Sequence, residues 1–237
     1  MFKPIRHCYT FLTSLSLSLW LTFGIMLFLG VGSFVSGGES GSINDMPLFD
    51  WLRGAPIAVS WWLWVTLALI AGLVVNTIVC SIESLRSKVG KSRFFVLIAP
   101  QVMHLGFLFI VLAHLFSAWG GFKQSIEARE GTTISFPDGS GVRVESIRAT
   151  RGKMGMVTDF AADILTIGTG GGEKATLGPN RPFFHLGFGL YLKHVEPVPN
   201  PSAYLEVHRE PGAGLALAGA LFFTVGNLVL LAVRRGR

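Results

Sequence analysis

The stretch Pro100–Gly121, PQVMHLGFLFIVLAHLFSAWGG, decides how this chain is read. It carries no charge and is long enough to supply the roughly 20 residues that take a helix across a bilayer, yet it holds two histidines, His104 and His114. An ionisable ring at bilayer depth is costly without a partner, so each histidine points to a functional site. A metal would answer that need, and a haem iron fits best. Neutral imidazole is its usual axial ligand, and Phe107, Leu108, Val111 and Leu115 supply the apolar walls that a porphyrin plane requires. The plainer alternative, a histidine that only hydrogen-bonds a neighbouring helix, stays open. The two rings are ten residues apart, which on an α-helix is roughly 15 Å of rise and about 80° of rotation. One iron therefore cannot sit between them. Either they mark two stations at different depths, or one is a ligand and the other a packing residue.

Around this stretch, 50% hydrophobic and 14% charged residues over 237 positions describe a chain too apolar for a soluble domain and too mixed to lie wholly in a membrane. Charge-free runs cover Cys8–Gly38, Gly54–Ile82, Phe94–Phe122 and Pro211–Val233, each long enough to span. The fold class expected is a membrane protein of four transmembrane α-helices with one small extracytoplasmic antiparallel β-domain. Residues 1–122 hold helices one to three, 123–210 the β-domain, and 211–237 the last helix and its tail. The lipid bilayer is thus the first partner.

The net charge of +6 is a topology signal. Nine basic residues (Lys3, Arg6, Arg86, Lys88, Lys91, Arg93, Arg234, Arg235 and Arg237) face the single acid Glu83 on one side of the alternating helices. The positive-inside rule makes that side cytoplasmic, with both termini there and the β-domain on the other side. The span Lys123–Glu210 balances ten basic against ten acidic residues, which argues against nucleic-acid binding. The first helix follows a basic tail as a signal peptide would. Its apolar run exceeds a signal core, and no small-x-small site ends it, so it reads as retained. Cys8 and Cys80 fall near the cytoplasmic face, where no disulfide is expected, and no Cys-x-x-Cys-His is present for attaching a c-type haem to this chain.

The loop Gly37–Pro56, with Met46–Phe49 and Trp51, reads as lying on the outer membrane surface, and Trp61-Trp62-Leu63-Trp64 as an interfacial belt. Asn76, Thr77 and Asn227 are polar groups that need partners. They are candidate donors to the histidines of the third helix, or ordinary interhelical contacts. Beyond Gly121, strands are expected at Val142–Ile147, Phe160–Ile167, Leu190–Val195 and Ala203–His208. Turns are expected at Pro137-Asp138-Gly139, Gly170-Gly171-Gly172 and Pro197–Pro201. The glycine run opens no helix and so reads as a hairpin turn, not a nucleotide loop. Alternation places His208 with Tyr204 and Glu206 on a solvated face and His194 with Leu190 and Leu192 on a half-buried one. His185 lies in the aromatic Pro182–Gly187 segment, and no zinc spacing or nucleophile motif accompanies these three rings.

FLTSLSLSLWLTFGIMLFLGVGSF, SWWLWVTLALIAGLVVNTIVCSIES and HLGFLFIVLAHLFSAWGGFKQSIEAREG follow one another, and the chain closes with DFAADILTI, Asn180-Arg181-Pro182 and GLYLKHVEPVPNPSAYLEVHREPGAGLALAGALFFTVGNLVLL. In that order they resemble the ResB family of cytochrome c biogenesis proteins, called CcsB where paired with CcsA. The likeness covers nearly the whole chain, and the β-domain is short for the family. The resemblance implies a System II role as one subunit of a cytochrome c haem lyase complex, not catalytic alone. A CcsA/ResC-like membrane protein and apocytochrome c would be its partners, and haem b, in transit or stably bound, its cofactor. It further implies a bacterial inner membrane as the location and haem iron at His104, with His114 a second candidate. Trp61-Trp62-Leu63-Trp64 is followed by no aspartate and does not supply the tryptophan-rich haem-presenting motif of the CcsA-like partner. Arg181 stands where some relatives have histidine, which leaves His185 and His194 as the possible outer-site rings. The alternatives from other classes are a membrane haem b electron-transfer subunit and a structural anchor of a cytochrome-containing complex.

Overall fold

The computed structural model describes residues 3–35, 43, 46–88, 94–136, 139–153, 156–168, 172–197 and 199–235. Pro137, Asp138, Gly170, Gly171, Lys91, Arg93, Arg237 and most of the segment 37–45, on which several expectations fall, lie outside them. The described helices are α1 (Lys3–Leu12), α2 (Leu15–Val35), α3 (Leu48–Gly54), α4 (Ile57–Lys88), α5 (Phe94–Gly120) and α6 (Ala213–Arg235). Four are long and apolar enough to cross a bilayer: Leu15–Val35, Ile57–Lys88, Phe94–Gly120 and Ala213–Val233. The helices form one compact unit and Gly120–Pro211 a second, all-β one.

The first span begins at Leu15 and not at Cys8, which corrects the reading of an unbroken apolar run. The ladder stops at Thr13 and Ser14, where Ser14 offers its carbonyl to the Ser18 amide at 3.4 Å to start α2. Asn76 of α4 accounts for the break. Its Nδ2 donates to the carbonyl of Leu12 at 2.6 Å, an acceptor that the end of α1 leaves unsatisfied, and to that of Ser14 at 3.4 Å. Tyr9 anchors α1 further, donating to Glu83 Oε2 at 2.6 Å.

Small residues set the helix pairing. The buried residues of α5 are Ala99, Gly106 and Ala113, seven apart, and Gly212, Gly219 and Gly226 repeat the same spacing. The two series meet in antiparallel register: Gly212 lies against Ala113, Gly219 against Gly106, and Gly226 against Ala99 and Met103. A repeat of seven keeps one stripe facing the partner, and lacking side chains lets the backbones approach. The α2–α4 pair is built likewise, with Gly24 on Leu69, Gly72 on Leu21, and Gly32 receiving the Trp62 indole. Trp62 belongs to a buried cluster with Trp51, Leu52 and Leu63, so α3 packs into the helical unit. Trp61 and Trp64 stay exposed, whereas Trp62 is buried and takes no part in a belt of exposed indoles.

The second unit is two four-stranded antiparallel sheets, β1-β8-β7-β6 and β2-β3-β4-β5. The expected strands lie within β3 (Gly141–Arg151), β4 (Val157–Ile167), β7 (Phe188–Glu196) and β8 (Ser202–Arg209). Four more complete the sheets: β1 (Phe122–Arg129), β2 (Thr133–Ser135), β5 (Lys174–Leu177) and β6 (Phe183–His185). Both sheets contribute to one core around Val142, Ile164, Leu177, Leu190 and Leu205, each contributing about 1.5–3 kcal/mol by burial. A two-residue hairpin joins β6 to β7, with Leu186 at φ 46° and Gly187 at φ 83°, the pattern of a type I′ turn that follows the strand twist.

Candidate functional site in the membrane helices

His104 sits on α5 two residues before Gly106, which is about 200° of rotation. It therefore lies on the side of α5 away from the small-residue stripe that holds α6. Its Nδ1 meets Ser81 Oγ of α4 at 2.7 Å. Ser81 has one hydroxyl proton, and it donates to the Thr77 carbonyl at 2.8 Å, the usual back-bond of a helical serine. With the hydroxyl proton placed on the Thr77 carbonyl, the oxygen accepts from Nδ1, and the imidazole keeps its lone pair on Nε2. That is the tautomer a metal ligand needs, fixed by a neighbour in the manner of ligating histidines.

The donors expected from sequence take other roles. Asn76 closes the α1–α2 break, Thr77 Oγ1 donates to the Leu73 carbonyl at 2.8 Å, and Asn227 Nδ2 donates to the Phe223 carbonyl at 2.9 Å. Ser81 is the residue sequence reasoning missed. It lies one turn beyond Thr77 on the same face of α4, so the helical period pointed to the right side but not to the right turn. A second polar side chain went unread. Gln101, one turn before His104, has both amide atoms buried with no hydrogen-bond partner among the described residues. His114 differs in each respect: it is exposed and has no hydrogen-bond partner among the described residues. Of the expected porphyrin walls, Phe107, Leu108 and Val111 are partly buried, whereas Leu115 is 49% exposed.

The donor set discriminates between metals. No three of His, Cys, Asp and Glu converge among the described residues, so a bare ion at His104 would find fewer than three such donors there. Zinc sites take three or four. A haem iron, already held by its porphyrin nitrogens, needs only axial ligands, so one imidazole with a free Nε2 in an apolar wall fits it.

The histidines of the β-unit have other surroundings. His185 lies in β6, its Nε2 3.2 Å from Ser140 Oγ and its ring stacked on Phe183 at 6.2 Å and 11°. His194 is exposed and not half-buried as alternation implied. A bulge between Leu192 and His194 shifts the phase of β7, turning Val195 into the core and His194 outward between Phe160 and Tyr204. His208 does face outward, but into a cluster more than into water. Its Nε2 is 3.0 Å from Glu206 Oε2, and its ring lies 4.7 Å from that of Tyr191. Glu206 also receives Lys123 Nζ at 3.0 Å and Lys193 Nζ at 3.2 Å. Burial raises its pKa, but the hydrogen bonds from Lys123, His208 and Lys193 prevail and bring it to about 2. The Asn180-Arg181-Pro182 segment is a turn closed by the Arg181 amide on the Gly178 carbonyl at 3.0 Å, with Asn180 at φ 57°, a type II turn with Pro179 before the left-handed residue. It borders a cleft of about 470 Å³ whose lining includes Arg181, Tyr191 and Lys193 but no histidine.

No family model and no curated protein matches the chain. A solved structure described as the cytochrome c heme lyase CcmF is similar over 86% of this chain and 34% of its own, at 16% sequence identity and a TM-score of 0.46. The chain thus spans about a third of the length of that protein.

Proposed function

We propose that this chain is a haem-handling subunit of cytochrome c maturation, close in role to the ResB family its motif order resembles. It holds haem b at His104 within the membrane beside a CcsA/ResC-like protein, and its β-sandwich receives apocytochrome c on the outer side. The observation that carries this reading is the Ser81–His104 contact, which frees Nε2 on an apolar helix face when the Ser81 proton lies on the Thr77 carbonyl. Haem supplies the vinyl groups to which the acceptor's thiols are joined. The chain's own part is to bind, orient and keep water from the ring. A bis-histidine site in the membrane requires a second chain or a dimer, because α2, α4 and α6 contain no histidine. The basic residues at the α4–α5 junction and at the end of α6 support a cytoplasmic placement for both termini and an external one for the β-sandwich.

Deleting the gene tests this. Apocytochromes c are expected to be exported without covalent haem, seen as lost haem-stained bands after denaturing electrophoresis. If haem attachment persists while one respiratory complex loses activity or falls apart, the electron-transfer or anchoring reading replaces it.

A further inference from the structure

Gln101 remains unexplained by the pairing of the helices. Both its Nε2 and Oε1 are buried and lack partners among the described residues, an arrangement that hydrocarbon strongly disfavours and that marks a place for a polar ligand group. It stands three residues before His104, so the two side chains are neighbours on the helix surface, about 60° apart in rotation and roughly 4.5 Å in rise. Helical side chains lean toward the N-terminus, which carries the amide of Gln101 further toward Phe94. Arg86 and Lys88 lie in the last turn of α4, and Lys91 and Arg93 precede α5 in the sequence. The opposite end of α5 has no basic residue in its last turn.

We infer that Gln101 sets the direction in which haem lies at His104, its amide taking one propionate carboxyl and holding the propionate edge toward the Phe94 end of α5. The inference rests on ligation by His104. A primary amide offers one donor face and one acceptor, the complement of a neutral carboxyl group, and its N–H alone serves an ionised one. At bilayer depth either match is worth more than an apolar contact, and the cationic end favours the same direction. The vinyl edge is left toward Trp119, the direction in which maturation would pass it on.

The test uses the full-length chain purified in detergent, titrated with haem b and with haem b dimethyl ester, in which both carboxyls are blocked. The readout is the ratio of the two affinities, in which partition into detergent cancels between variants. The wild type should prefer haem b by roughly tenfold or more. In Gln101→Leu, and in the closer-shaped Gln101→Met, the Soret band of histidine ligation should persist while that preference falls to about twofold or less. A preference unchanged in both variants overturns the inference and assigns Gln101 to a partner helix. If wild type and His104→Ala take up both haems equally, ligation at His104 has failed, a result that no Gln101 variant can mimic.

Discussion

Glu206→Gln removes the charge at the centre of the most connected ionic cluster of the β-sandwich. The Glu206 side chain is 13% exposed and is held by Lys123 at 3.0 Å, Lys193 at 3.2 Å and His208 at 3.0 Å. Its carboxyl lies at about 2 against an ordinary 4.5, which by linkage sets a ceiling of about 3 kcal/mol on its contribution at neutral pH. Both lysines are near half exposed, at 44% and 54%, so solvent screening brings the expectation down to about 1–2 kcal/mol. The sign follows from the depressed folded value. The stabilisation is complete above the unfolded value of 4.5 and is lost as the pH falls toward 2. Urea unfolding of the full-length chain in detergent reads this, because helices in detergent resist urea and the change in the β-signal of circular dichroism reports the sandwich. The variant should unfold earlier than wild type at pH 7, and the gap should close between about pH 4.5 and 2. Equal midpoints at pH 7, or a gap that stays constant in acid, would refute this account of the cluster.

Three further outcomes follow from the helical unit. Gly106→Ala places a methyl group 2.6 Å from the Gly219 carbonyl oxygen, so α5 and α6 must part at a cost of about 1–3 kcal/mol; thermal melts in detergent should show it, with Gly30→Ala, which meets nothing within 4 Å, as the silent control. Ser81→Ala removes the acceptor of the His104 Nδ1 proton, and haem affinity measured by titration should fall about 10–100-fold; an unchanged affinity would mean the serine does not orient the ring. Topology reporters at Lys88 and the C-terminus should read cytoplasmic and one at Lys174 external, and an external signal at Lys88 would overturn the placement of every site in the membrane.

Much of this architecture was legible in the residues, and the exceptions have identifiable causes. Spans were visible because hydrocarbon excludes charge, but hydropathy averages over the Thr13-Ser14 break, which depends on an amide 62 residues away in sequence, Asn76 to Ser14. The long strands announced themselves by alternation. Short β2, β5 and β6 offer too few residues to alternate, and β1, Phe122–Arg129, is mostly polar and runs on from the end of α5. His194 was assigned the wrong face because one bulge inverts the phase of all that follows it. At the candidate site, His104 could be singled out by composition alone. Ser81 and Gln101 could not, since a serine and a glutamine in a membrane helix are common and only the crossing of α4 with α5 selects them.

The claim at the centre is that His104 is a haem ligand, and the absorption spectrum of the purified chain tests it most directly. Wild type, His104→Ala and His114→Ala should be compared with and without added haem and with the partner membrane protein, after confirming that each variant inserts. One imidazole contributes little to the hydrophobic driving force of α5, so insertion should be unaffected. The Soret band should be lost or shifted in His104→Ala and retained in His114→Ala. A spectrum unchanged in His104→Ala and lost in His114→Ala would contradict the assignment and move the site to the other end of the helix.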